Sequence, residues 1–207
     1  MGVVVVGGHS RSVGKTSVVA NLIARLPERN WTAFKITQFG HGFCSADGKP
    51  CDCQTDEHTI AISAEHDPNT GTDSARFLAA GAKRSLWVRT RIGCLPEAMP
   101  RIAKEIARAE NVIFESNSLL QLLRPDLYLV VLDHAAADFK PSALRFLDRA
   151  DAVLLRASSR ELIPNWKGVS PKLIAGKPQF LIAPPDWLGQ DLVDFVEHRL
   201  RGERVVR

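Results

Sequence analysis

Val3-Val4-Val5-Val6-Gly7-Gly8-His9-Ser10-Arg11-Ser12-Val13-Gly14-Lys15-Thr16 is the stretch on which the architecture turns. The four valines predict a buried strand, and Ser17 to Leu26 (SVVANLIARL) predicts a helix. The glycines therefore fall on a strand-loop-helix turn, where small residues let backbone N–H groups close around a polyphosphate. The start of the helix adds its partial positive charge. In this reading Lys15 reaches the β- and γ-phosphates and the Thr16 hydroxyl ligates Mg²⁺. The candidate nucleotide-contacting residues are Gly8, His9, Ser10, Arg11, Ser12, Val13, Gly14, Lys15, Thr16 and Ser17. The spacing is one residue longer than the usual phosphate loop. Counting back from Gly14-Lys15-Thr16, the first glycine would fall at His9, whereas it is Gly8.

Outward from the loop, strands and helices alternate. Trp31 to Thr37 predicts the second strand, Asp73 to Ala82 a helix, Ser85 to Thr90 a strand and Glu97 to Arg108 a helix. Asn111 to Glu115, Leu127 to Leu132, Ala152 to Leu155 and Gln179 to Ala183 predict further strands. Ser142 to Asp148 predicts a short helix and Asp186 to Leu200 the last one. Such alternation implies a three-layer α/β fold, a mostly parallel sheet flanked by helices. Ligands of such sheets lie at the carboxyl ends of the strands. Residues 38 to 71 break the pattern and read as an irregular insertion or lid on a single domain spanning 1–207.

The composition is that of an ordinary globular chain. It has 207 residues, 45% hydrophobic and 24% charged, with a net charge of +4. No run of about 18 apolar residues marks a membrane span, and the valine run is too short for a secretory leader. A cytoplasmic location is the default expectation. Arg199, Arg201, Arg204 and Arg207 read as a solvated helix end rather than a nucleic-acid surface, since no aromatic residues interleave with them. Lys83, Arg84, Arg89 and Arg91 form a basic run that reads either as a solvated face or as a contact for a phosphorylated ligand.

A phosphate-loop protein needs a carboxylate near Mg²⁺ at a neighbouring strand end. Glu115, closing Asn111-Val112-Ile113-Phe114-Glu115, is the first candidate and Asp133 the rival. The polar Ser116-Asn117-Ser118 after Glu115 would orient water or phosphate. Lys35, near the end of the second strand, is expected to face the γ-phosphate or a second substrate. Lys15, Lys35 and Glu115 are thus the expected catalytic groups.

Gly8 to Thr16 (GHSRSVGKT) resembles the phosphate loop of the dethiobiotin synthetases in length and in its Val-Gly-Lys-Thr. Phe34-Lys35-Ile36-Thr37 is similar to their lysine-bearing strand end. A second resemblance is to MobB, the accessory family of molybdopterin guanine dinucleotide synthesis. It rests on Lys35 followed by His41, on Gly71-Thr72-Asp73-Ser74-Ala75-Arg76-Phe77-Leu78-Ala79-Ala80-Gly81-Ala82, and on Glu115. These resemblances cover roughly residues 1 to 120. They imply the SIMIBI class of phosphate-loop proteins, often dimeric, with Asp73 near the nucleotide or its Mg²⁺. Otherwise Thr72 or Asp73 simply caps the next helix. The chain departs from these families in three ways. Ser-Asn-Ser replaces a glycine-rich stretch after Glu115, no Asn-Lys-x-Asp guanine reader occurs, and Ser10 stands where many SIMIBI loops carry a lysine.

The insertion holds Cys44, Cys51 and Cys53, with His41, His58 and His66 nearby. Thiolates and imidazoles suit Zn²⁺ or an iron–sulfur cluster, with Cys94 a further candidate ligand. Free thiols in a polar loop are the alternative. The expected function is Mg²⁺-dependent binding and hydrolysis of ATP or GTP in a MobB-like accessory role, serving a cofactor-biosynthesis partner. The alternatives are a metallochaperone or cluster carrier for a metalloenzyme partner, and a dethiobiotin synthetase-like ligase.

Overall fold

The computed structural model describes residues 1–40, 59–164 and 166–202. The elements run β1 (Val3–Gly8), α1 (Lys15–Arg25), β2 (Trp31–Phe39), β3 (Ile60–Ala64), α2 (Asp73–Ala79), β4 (Arg84–Arg91), α3 (Leu95–Ile106) and β5 (Asn111–Glu115). They continue with β6 (Leu127–Leu132), α4 (Pro141–Leu144), β7 (Ala152–Arg156), β8 (Gln179–Ile182) and α5 (Gln190–Leu200). The eight strands form one sheet in the order β3-β4-β2-β5-β1-β6-β7-β8. All neighbours are parallel except β3, which pairs antiparallel with β4 at one edge.

The valine run is a strand because both of its faces are covered. Val4 and Val6 point into one core, with Val18, Val19, Leu22 and Ile23 of α1 and Leu192, Val193 and Val196 of α5. Val5 points into the other, with Leu95, Ala98 and Ile102 of α3 and Leu119 and Leu120 after β5. A strand buried on both faces reads as a continuous apolar run rather than an alternation. The result is a three-layer α/β fold, a mostly parallel sheet flanked by helices, with β1 in the middle of the sheet.

The structure corrects the expected course of the chain in several places. The stretch 38–71 is not wholly irregular: β2 continues to Phe39 and Ile60–Ala64 forms the edge strand. The expected helix over Ser142 to Asp148 is broken into the single turn α4 and a 3-10 turn at Leu147–Arg149. The last helix begins at Gln190 rather than Asp186, because Pro184 and Pro185 are followed by Trp187 at a left-handed φ of 54°. No described helix is long and apolar enough to cross a membrane.

Topology positions the site. From β1 the sheet grows towards β5 and β2 on one side and towards β6 on the other. The carboxyl end of β1 therefore lies at a switch of direction, where α/β sheets open a crevice.

Candidate functional site

The loop leaves β1 at Gly8 and enters α1 through Gly14, whose φ of 108° favours glycine. A Cβ on Gly14 would also stand 2.3 Å from the Trp187 indole, so the close approach demands glycine a second time. Lys15 folds back along the loop, and its Nζ donates to the Ser10 carbonyl at 2.6 Å. Burial lowers its pKa to about 8, opposed by Glu115 and reinforced by Lys140 and Lys35.

Three further elements, β2, β5 and α2, converge on the start of α1. Register places Glu115 of β5 beside Val6 of β1 on one side and Lys35 of β2 on the other. The Thr16 hydroxyl donates to Glu115 Oε2 at 2.8 Å, and Lys35 Nζ donates to Glu115 Oε1 at 2.5 Å. The same Lys35 Nζ lies 2.7 Å from Asp73 Oδ2, at the first residue of α2. Thr72 caps that helix by accepting from the Ala75 N–H at 3.1 Å, so the Asp73 carboxylate is spared for the site. Burial alone would raise the Asp73 pKa. The Lys35 hydrogen bond and charge, the Thr16 hydroxyl and Arg76 together hold it below the usual carboxylate range. Arg76 lies one turn on, 4.0 Å from Asp73, and also donates to Ser17 Oγ at 3.1 Å. Thr16, Lys35, Asp73 and Glu115 thus form one connected group, with Glu115 only 3% exposed.

Asp133 is engaged elsewhere: its carboxylate accepts from Ala135 N–H and closes the turn after β6. The residues after Glu115 are not positioned as the sequence suggests. Asn117 is spent on the loop itself. Its Oδ1 accepts from the Gly8 N–H and its Nδ2 donates to the Gly8 carbonyl, both at 2.9 Å. One carboxamide thereby satisfies both backbone groups of the first loop glycine, as a neighbouring strand would. Ser116 Oγ accepts from the Leu119 N–H and starts a 3-10 turn. Asn117→Ala should therefore leave both Gly8 groups without this partner and cost about 1–3 kcal/mol of unfolding free energy, readable in urea titrations. An unchanged midpoint would show that water replaces the carboxamide without loss.

His9, read from the sequence as a nucleotide contact, is wholly buried and structural. Its Nδ1 donates to the Asp138 carbonyl at 2.8 Å and its Nε2 accepts from the Asp133 N–H at 3.0 Å. The ring packs between Phe139 and Trp166. Burial lowers its pKa, against the Asp138 hydrogen bond, so it serves as a neutral ring. It ties the segment 133–140 to the loop, and Ser10 Oγ donates to Asp138 Oδ2 at 3.0 Å beside it.

Beyond Asp133, the sequence pointed neither to that segment nor to Trp187. Both belong to connections leaving strand carboxyl ends, the place from which ligand crevices are lined in such sheets. The Arg156 guanidinium, at the end of β7, lies 4.9 Å over the Trp187 ring.

The basic run does not gather at the site. Lys83 pairs with Glu110 and Arg84 with Glu105 at the amino end of β4, and buried Arg89 donates to Ser63 and lies over Trp87. Arg199 pairs with Asp151 and Arg201 with Glu197, while Arg204 and Arg207 lie outside the described residues. Cys44, Cys51, Cys53, His41 and His58 also lie outside them. Cys94 is buried at the start of α3. Among the described residues no three His, Cys, Asp or Glu side chains gather as a metal-holding group.

No protein-family model matches the chain, and no curated protein matches it. Among solved structures it is similar to LpxK from Aquifex aeolicus in complex with ATP. The identity is 20% and the TM-score 0.49, over 87% of this chain and 53% of that one, so this chain spans about half the length of LpxK. It is also similar to HypB from Helicobacter pylori in complex with nickel, at 16% identity and a TM-score of 0.48, over 99% of this chain and 90% of that one.

Proposed function

We propose that this chain binds a nucleoside triphosphate with Mg²⁺ at the Gly8–Thr16 loop and catalyses hydrolysis or transfer of its γ-phosphoryl group. The observation that carries the reading is the convergence of Thr16, Lys35, Asp73 and Glu115 at the loop's exit. Hard oxygen donors held together by hydrogen bonds suit Mg²⁺ rather than a softer metal. Thr16, Glu115 and Asp73 are the residues that would hold it, directly or through water. Bound there, the ion would neutralise charge on the β- and γ-phosphates.

The chain's own residues supply the rest. Lys15 gives up its bond to the Ser10 carbonyl and takes a phosphate oxygen instead. The amides of the loop and of the α1 amino end face the polyphosphate. Lys35, held between two carboxylates, stands at the edge of the site where a γ-phosphate or an acidic second substrate would enter. Catalysis of this kind is positioning plus charge neutralisation, with little covalent work for the protein.

For the biological role we propose a MobB-like accessory NTPase that serves a partner in cofactor biosynthesis. Support comes from the Gly71–Ala82 segment: Thr72 caps α2 and delivers Asp73 to Lys35. The carrier alternative rests on Cys44, Cys51 and Cys53 in the sequence alone, and metal analysis of anoxically purified protein separates it. A rise in ADP release on adding a carboxylate or carbamate substrate would favour the ligase alternative.

Calorimetric titration with ATP and with GTP, with and without Mg²⁺, tests the central reading. One nucleotide should bind at one site per chain, and Mg²⁺ should tighten it. Absence of saturable binding for both would overturn the proposal.

A further inference from the structure

The segment between β6 and α4 is fastened to the phosphate loop along its length. Asp133 N–H donates to His9 Nε2, the Asp138 carbonyl accepts from His9 Nδ1, and Ser10 Oγ donates to Asp138 Oδ2. Its last residue, Lys140, donates its own N–H to the His9 carbonyl at 2.8 Å and then opens α4. The Lys140 backbone is thus fixed to the loop, whereas its half-buried side chain makes no described ion pair.

The charges around that side chain are unbalanced. Arg11, Lys15 and Lys35 all lie within electrostatic range of it, and so do Asp138 and Glu115. Neither carboxylate is dedicated to Lys140. Asp138 accepts from Ser10, and Glu115 is shared between Thr16 and Lys35. Burial first, and then Arg11, lower the Lys140 pKa, against Asp138 and Glu115, which raise it. Holding a fourth cation in this group is unfavourable until an anion of several charges arrives.

We propose that Lys140 is a further phosphate-contacting residue, a built-in cation that the strap formed by residues 133–140 presents to the terminal phosphate of the bound triphosphate. The proposal rests on the phosphate-loop reading and adds a residue to it. Lys15 approaches from within the loop and Lys35 from β2, on the side of Glu115. Lys140 comes from the β6 side, so the terminal phosphate would be flanked by cations from both directions in which the sheet grows from β1. A cation placed there favours charge on the terminal phosphate over charge nearer the ribose.

The test is a comparison of triphosphate and diphosphate. Wild type, Lys140→Met and Lys140→Arg are titrated with the β,γ-imido analogues of ATP and GTP and with ADP and GDP, all with Mg²⁺. Lys140→Met should lose about tenfold in affinity for the preferred triphosphate analogue and less than twofold for the matching diphosphate. Lys140→Arg should restore most of the difference. The main-chain bond to His9 survives either change, so the melting temperature should hold. Should Lys140→Met melt early, Lys140→Gln is measured in the same way. Equal losses on both nucleotides, or no loss on either, would overturn the role of Lys140 while leaving the phosphate loop in place. A wild type that binds none of the four would overturn both.

Discussion

Lys15→Ala is expected to reduce nucleotide affinity or turnover at least tenfold, about 1.4 kcal/mol or more, while leaving the fold intact. Burial lowers the Lys15 pKa to about 8, and its ammonium rests on the Ser10 carbonyl. A polyphosphate reverses that balance. It replaces a neutral oxygen with an anionic one, so the ammonium gains a full opposite charge at hydrogen-bond distance. Alanine gives up this gain and no core contact, because the apolar residues of α1 that face the sheet are Val18, Val19, Leu22 and Ile23. The measurement is calorimetric titration of the variant beside a thermal melt. A folded variant that binds and turns over nucleotide as the wild type does would remove the phosphate-loop reading altogether.

The parts of the fold that were legible in the sequence share one physical cause. β1, β5 and β6 are buried on both faces, and Val3–Val6, Val112–Phe114 and Leu127–Leu132 announce this by unbroken apolar runs. The edge strand Ile60–Ala64 was not legible. It is short and half-exposed, and among the described strands it pairs with β4 alone, antiparallel, which no local pattern reveals. The turn at Asp186–Gly189 was expected to open the last helix, but Trp187 instead packs closely against Gly14, on the face of the sheet that α1 covers.

The site divides in the same way. Thr16, Asp73 and Glu115 each sit at the end of a strand or the start of a helix, where a local signal exists, whereas Lys35 lies in the middle of β2, which runs past the expected strand end to Phe39. The roles of Asn117, Asp138 and Lys140 depend on partners more than a hundred residues away in the chain. His9 shows the converse. Its place in the motif suggested a ligand contact, whereas its two ring nitrogens are consumed in fastening one loop to another.

Glu115→Gln separates binding from catalysis. Glu115 receives the Thr16 hydroxyl and the Lys35 ammonium, and it is buried. Glutamine keeps the shape and one accepting oxygen but removes the charge. Lys35 retains Asp73 at 2.7 Å, so it is not stranded as a buried unpaired cation, and the variant should fold. Nucleotide binding without Mg²⁺ should stay within about threefold of wild type, since Lys15 and the loop amides are untouched. Two other quantities should fall together. The gain in affinity on adding Mg²⁺ should shrink, and Mg²⁺-dependent turnover should drop by about 100-fold, a loss of about 2.7 kcal/mol of transition-state stabilisation. Asp133→Asn is the matched control, because that carboxylate closes a turn with Ala135. It should leave turnover within a few-fold of wild type. If Asp133→Asn abolishes turnover and Glu115→Gln does not, the strand-end acid of this site lies on β6, and the connected group around Glu115 is an ion-pair network that only holds β2, β5 and α2 together.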